Sequence, residues 1–163
     1  MILSGQSIRA RGIFTPFCER TVQRGMSYGL SAAGYDVRID LEAEDLDSVM
    51  ITPGCARLAG TLEQFDMPND LIGIVHDKST WARKFLTVQN TVVEPGWSGH
   101  LTLELTNHSN VGVKIYHGDP IAQILIHLVD EEVEVPYQGK YQAQERGPQK
   151  ARNEDGSQQL HTR

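Results

Sequence analysis

Leu101-Thr102-Leu103-Glu104-Leu105-Thr106 alternates apolar and polar residues at the period of a strand with one buried face. On that reading Thr102, Glu104 and Thr106 share the polar face. With the leucines packed in a core, Glu104 points into a cleft. Just upstream, Glu94-Pro95-Gly96-Trp97-Ser98-Gly99 carries the proline and glycines of a turn leading into the strand. Earlier still, Lys78-Ser79-Thr80 offers one cation, two hydroxyls and successive backbone N–H groups, a combination suited to phosphate oxygens. A hydroxyl-rich basic turn shortly before a carboxylate-bearing strand reads as a nucleotide site.

Outward from this region the same short alternation recurs. Val37 to Leu41, Ala56 to Leu62, Leu71 to Val75, Val111 to Tyr116 and Ile121 to Val129 read as strands, with Gly118-Asp119 turning between the last two. Ser4 is placed to cap a brief helix that Thr15-Pro16 interrupts, and Ser79 to Lys84 suits a helical turn. Short strands at this spacing predict a mainly all-β fold, a sandwich or barrel of the jelly-roll sort with short helices. From Gln138 onward apolar residues become scarce, so the tail is expected to be mobile unless a ligand or a neighbouring subunit orders it.

The 163 residues fit one domain with a sizeable core. A net charge of −6 argues against a sequence-independent nucleic-acid binder, while a small phosphorylated ligand needs only a few local cations. Cys18 and Cys55 are too few for a disulfide framework and lack metal-site spacing. No apolar run has the length of a membrane span and the start lacks a signal-peptide pattern, so the expectation is a cytoplasmic protein with no membrane partner.

In order and spacing, several words resemble one family: Met1-Ile2-Leu3-Ser4, Thr15 to Arg20, Ser27 to Arg38, Lys78 to Arg83, Glu94 to Glu104, Gly118 to Gln123 and Gly139 to Gln144. The family is that of the dCTP deaminases, within the superfamily that includes the dUTPases. The resemblance implies a distorted β-barrel of the dUTPase type, 1–135, followed by a polar lid or tail, 136–163. It implies homotrimers with active sites between subunits, and hydrolytic deamination of dCTP to dUTP and ammonia, which feeds thymidylate synthesis.

Residue by residue, the resemblance gives Glu104, in the triplet Thr102-Leu103-Glu104, the role of general base. Water is a poor nucleophile towards C4 of cytosine, so a carboxylate tuned towards neutral pH by partial burial is needed. Arg83 is implied to lie beside that carboxylate and place the water, and Ser79 to bind phosphate and the water network. Lys78 and Thr80 belong to the same block; Lys78 stands where many relatives have arginine and keeps the charge without the bidentate fork. Thr91-Val92 sits where a backbone carbonyl recognises the exocyclic amine, and Glu94 where an acid holds the sugar 3′-hydroxyl. Gln123, Tyr137, Lys140 and Gln144 match contacts to base, sugar or triphosphate. The residues beyond Arg146 do not follow the family's ending closely.

Read alone, each of these residues has a plainer alternative: a solvated strand glutamate, a surface ion pair, a polar tail. The six histidines lack metal-site spacing, and the H-x-E and P-C-x-x-C words of the zinc deaminases are missing, so the deaminase is expected to work without zinc. Magnesium is implied, held mainly by the triphosphate. A dUTPase shares the Ala33 to Asp36 and Gly118 to Gln123 words but needs a glycine-rich C-terminal phosphate motif that is not clear here. A bifunctional enzyme forming dUMP from dCTP lies between the two. A catalytically silent nucleotide-binding regulator on the same fold is the alternative from another class.

Overall fold

Alternation becomes strand along most of the chain. The computed structural model describes residues 1–155 and Ser157. Helix α1 (Gly5–Arg11) follows the N-cap Ser4 and stops at Gly12, whose φ of 65° is the left-handed conformation that ends helices. Four strands come next: β1 (Phe14–Thr15), β2 (Thr21–Gln23), β3 (Met26–Leu30) and β4 (Tyr35–Asp40). A 3₁₀ turn (Glu42–Glu44) leads to β5 (Ser48–Ile51), β6 (Ala56–Asp66) and β7 (Leu71–Asp77). The short helix α2 (Ser79–Ala82) precedes β8 (Leu86–Val88), β9 (Val92–Val93), β10 (Ser98–Asn107), β11 (Val113–Tyr116) and β12 (Pro120–Leu128).

Ten strands form one sheet along the path β8-β10-β6-β4-β12-β7-β9, with β1 on β6 and the β2–β3 hairpin on β4; β5 and β11 form a separate pair. The sheet curls into a half-barrel that brings the first strand of its path back to the one before the last: Val88 N–H of β8 donates to Asp77 Oδ1 at the end of β7, 2.7 Å away. Inside the curl, Val37, Ile39, Leu103, Leu105, Ile124 and Ile126 are buried. Phe14 stacks on Tyr35 at 4.1 Å between centroids, and Phe65 meets Trp97 edge-on at 5.8 Å. The mainly β, dUTPase-type barrel expected from the sequence is the architecture observed.

Most element bounds shift by one or two residues from the sequence reading, and three differences have a local reason. Strand β6 runs on to Asp66 because Glu63, which breaks the apolar pattern, is fully buried and held by Arg38 through Nε at 2.7 Å and the backbone N–H at 2.8 Å. β11 starts at Val113 rather than Val111, because the Val111 carbonyl is taken by Asn107 Nδ2 and Ser109 Oγ, both at 2.8 Å. The third concerns the tail. Its described part does not hang free but lies on β10 of its own chain.

That docking is made by backbone and polar groups. Ala143 N–H donates to the Ser98 carbonyl and His100 N–H to the Gln144 carbonyl, both at 3.0 Å, and Trp97 Nε1–H donates to the Tyr141 carbonyl at 2.6 Å. Arg146 ends the run on Asp40, at 2.6 Å from Nε and 3.2 Å from Nη2, and reaches Glu42 at 3.5 Å. Two glycines open the track. A Cβ on Gly99 would lie 2.5 Å from the Gln144 nitrogen, and one on Gly60 would lie 3.1 Å from the Gly147 Cα and carbonyl carbon. Gly60 needs no left-handed φ, so Gly60→Ala tests the track without backbone strain. The variant is expected to keep its fold but lose tail protection, seen as severalfold faster limited proteolysis between 138 and 152.

Candidate active site

Strand β10 carries the site because its two faces differ. Leu103 and Leu105 enter the core, while Thr102, Glu104 and Thr106 line a cavity of about 1030 Å³ on the opposite face; Leu101, at the register shift between His100 and Thr102, is buried and also lines the cavity. Ala56 and Leu58, their neighbours on β6, complete the floor; Glu104 pairs directly with Leu58 and Thr106 with Ala56. Gln89 to Glu94 form one wall, held by the Gln89 N–H on the Glu104 carbonyl at 3.0 Å. The docked tail contributes Tyr137, Tyr141, Gln144 and the run Gln149 to Ala151.

Glu104 is half-buried, and among the described residues no cation pairs with it. Burial pushes its carboxyl above the usual carboxylate range. Its Oε2 is buried and makes no hydrogen bond to a described residue, and neither does Thr91 Oγ1 in the facing wall. Arg57 Nε, on another lining residue, is unpaired as well; buried polar atoms rarely go unpaired, and three such atoms on residues of one cavity mark a place built for a polar ligand. Thr102 is committed to the tail instead: its hydroxyl donates to Gln144 Oε1 at 3.2 Å and accepts the Gln149 N–H at 2.9 Å.

Of the residues singled out in the sequence, Thr91, Val92, Glu94, Thr102, Glu104, Tyr137 and Gln144 come together around this cavity. Leu103 does not, since its side chain is fully buried on the core side of β10. Lys78, Ser79, Thr80, Arg83 and Gln123 fall elsewhere in the chain. Lys78 Nζ lies 2.7 Å from Asp36 Oδ2, and Gln123 Nε2 donates to Asp36 Oδ1 at 3.3 Å. Arg83, placed by the family resemblance beside the catalytic carboxylate, does not line the Glu104 cavity in a single chain; its Nη1 donates to the Ser79 carbonyl at 3.1 Å. The cause is topological, because α2 leaves the end of β7 and β7 pairs with β12 and β9, whereas Glu104 lies on the β6–β10 ladder. Lys140 also faces away: its Nζ pairs with Glu154 Oε1 at 2.8 Å.

Sequence reading missed Tyr141, Gln149 and Lys150 as cavity residues, and Asp36 as the partner of both Lys78 and Gln123. Tyr141 stood within a quoted motif. Asp36 stood within one too, but its pairing depends on contacts across the fold, and no local signal pointed to Gln149 or Lys150. Among the described residues no group of three or more His, Cys, Asp or Glu converges in the manner of a metal cage. His161 lies outside the described residues.

The comparisons with known proteins agree with this geometry. The dCTP deaminase-like (DCD) family model matches residues 36–129, a span that runs from within β4 past β12 and holds Glu104 and the Lys78–Arg83 block but not the tail residues of the cavity. A dCTP deaminase of Campylobacter hominis is 38% identical over an alignment of 166 positions, covering 85% of this chain and 87% of its own length. One from a Sulfurovum species is 38% identical over 159 positions, with 81% of this chain and 85% of its own covered. Among solved structures, a 2′-deoxycytidine 5′-triphosphate deaminase from Agrobacterium tumefaciens superposes with a TM-score of 0.63 at 16% identity, covering 78% of this chain and 48% of that one. The EIAV dUTPase superposes at 0.56 with 19% identity, covering 77% of this chain and 95% of its own, a likeness of fold. With the family model spanning more than half of the chain and curated relatives aligning along most of it, the chain belongs to the dCTP deaminase-like family.

Proposed function

We propose that this protein hydrolyses the 4-amino group of dCTP, giving dUTP and ammonia. The observation that carries the reading is Glu104: a carboxyl raised by burial, with one unpaired oxygen, facing a cavity large enough for a nucleotide. In the proposed reaction Glu104 takes a proton from water as its oxygen adds to C4. The proton passes to N3, a further proton goes to the amine, and ammonia leaves as the C4 carbonyl forms. The low-polarity floor of Ala56 and Leu58 strengthens each of these charge interactions. Backbone carbonyls near Thr91 and Val92 accept from the exocyclic amine, Glu94 holds the sugar 3′-hydroxyl, and Tyr137 and Gln144 close over sugar and base.

The remaining site residues come from a second copy of the chain. Ser79, Thr80 and Arg83 are presented together at α2 but away from the chain's own cavity, which supports a homotrimer whose active sites combine the Lys78–Arg83 block of one subunit with the Glu104 cavity of another. Lys78 and Gln123, both bound to Asp36, then position that block. The chain divides in function into a barrel, 1–135, and a lid, 136–163. Magnesium enters with the triphosphate. Work on the free nucleotide pool places the enzyme in the cytoplasm, without nucleic-acid or membrane partners; no helix among the described residues is long and apolar enough to cross a membrane.

The chemistry needs no zinc, because Glu104 and a held water suffice to deliver the nucleophile. After exhaustive zinc-selective chelation and restoration of magnesium, ammonia release from dCTP is expected at the untreated rate. Stoichiometric zinc on which activity depends contradicts this mechanism.

A further inference from the structure

We propose that Lys150 is the cation this chain contributes to the phosphate groups of a nucleotide bound beside Glu104. This rests on the reading of the cavity as a dCTP site. Two fixed points flank the lysine. The Gln149 N–H is held by Thr102 Oγ1 at 2.9 Å and the Arg152 N–H by the Tyr141 hydroxyl at 3.0 Å. Arg152 Nη2 donates to Gln149 Oε1 at 2.8 Å and ties the two ends together. Residues 149–152 therefore form a strap anchored to the strand that bears Glu104, and Lys150 lines the same cavity.

Charge bookkeeping around the cavity singles this lysine out. The charged residues that line it are Arg57, Glu94, Glu104 and Lys150. Arg57 is paired with Glu44, with Nη2 at 2.9 and 3.0 Å from the two carboxylate oxygens, while its Nε is buried without a hydrogen bond to a described residue; across the ladder it pairs with Leu105, whose side chain enters the core. Glu94 and Glu104 are acids that repel a polyphosphate. Lys140, the cation the family resemblance points to, is paired with Glu154 and lies off the cavity. Among the described residues Lys150 makes no ion pair, so its ammonium is available as a point charge for phosphate oxygens. Magnesium on the triphosphate offsets part of the ligand's charge but not all of it.

The test compares wild type, Lys150→Ala, Lys150→Arg and, as a control, Lys114→Ala, a lysine on a separate hollow beside Val111 and Val113. Each protein is assayed on dCTP and titrated calorimetrically with magnesium tripolyphosphate at low ionic strength. Lys150→Ala is expected to raise KM for dCTP by about tenfold or more and weaken tripolyphosphate binding by a similar factor. Its kcat and melting temperature should stay near wild type, Lys150→Arg should recover most of the binding, and Lys114→Ala should change neither quantity. Added salt should shrink the Lys150→Ala effect. A wild type that deaminates dCTP while Lys150→Ala matches it in KM and tripolyphosphate affinity overturns the assignment and leaves the deaminase reading intact. A wild type inert on dCTP that binds tripolyphosphate through Lys150 sustains the assignment and sinks the deaminase reading.

Discussion

Glu104→Gln is expected to lose deamination by about 10²–10⁴ in rate while binding dCTP almost as wild type does. The amide keeps the shape and hydrogen-bonding reach of the side chain but cannot accept the proton of the attacking water. Because the loss falls on the chemical step, it should appear in kcat rather than in the dissociation constant. The pH profile of wild type supplies a second check. Burial raises the Glu104 carboxyl, and only the deprotonated form acts as base, so kcat/KM should fall towards acid through a value above the ordinary glutamate pKa of about 4.3. Near-normal turnover in Glu104→Gln removes this residue from the mechanism, and an acid limb at or below the ordinary value removes its tuning.

A chain ending at Val135 is expected to fold yet lose activity on dCTP by about a hundredfold or more. The last strand of the curled sheet, β12, ends at Leu128, so the barrel's core survives the cut. What disappears is one side of the cavity, with Tyr137, Tyr141, Gln144, Gln149 and Lys150. Two ligand contacts worth about 1.5 kcal/mol each already account for the hundredfold loss. The cut also carries a stability cost that a freely hanging tail would not have. Asp40, fully buried, loses the Arg146 guanidinium, and Trp97 loses the carbonyl acceptor on its indole N–H. The melting temperature should therefore drop by at least about 3 °C relative to the full chain. A truncated protein with wild-type turnover shows that the tail has no part in the site, and an unchanged melting curve shows that its docking contributes nothing.

What was legible in the sequence was whatever repeats at short range. Alternation alone placed Thr102, Glu104 and Thr106 on one face of β10 and the leucines on the other, and the structure keeps that division for Leu103 and Leu105 but not for Leu101, which lies at a register shift and also lines the cavity. The helix start at Ser4, the helical turn after Lys78 and most strands were readable in the same way, although the Ser4 side chain makes no capping hydrogen bond. Pairings over long separations were not. Lys78 and Asp36 are 42 residues apart, and nothing near either one announces that the lysine's charge is already taken. The tail misled for a different reason: its polar composition signals an absence of apolar burial, but it docks through backbone hydrogen bonds, an arginine on a buried aspartate and two strand glycines. Gly60 and Gly99 look like strand irregularities until the backbone lying over them is seen. The separation of Arg83 and Ser79 from Glu104 within one chain followed from no local pattern and was implied only by the family resemblance, because motif order along a chain does not fix which motifs meet in space.

The measurement that tests the central claim most directly is product identification after the purified protein is incubated separately with dCTP, dUTP and dCMP in magnesium buffer. The account predicts dUTP and ammonia in equal amounts from dCTP, no turnover of dCMP, and no pyrophosphate release from dUTP. Pyrophosphate and dUMP from dUTP, with dCTP left untouched, would contradict it and make the Glu104 cavity the site of a diphosphatase.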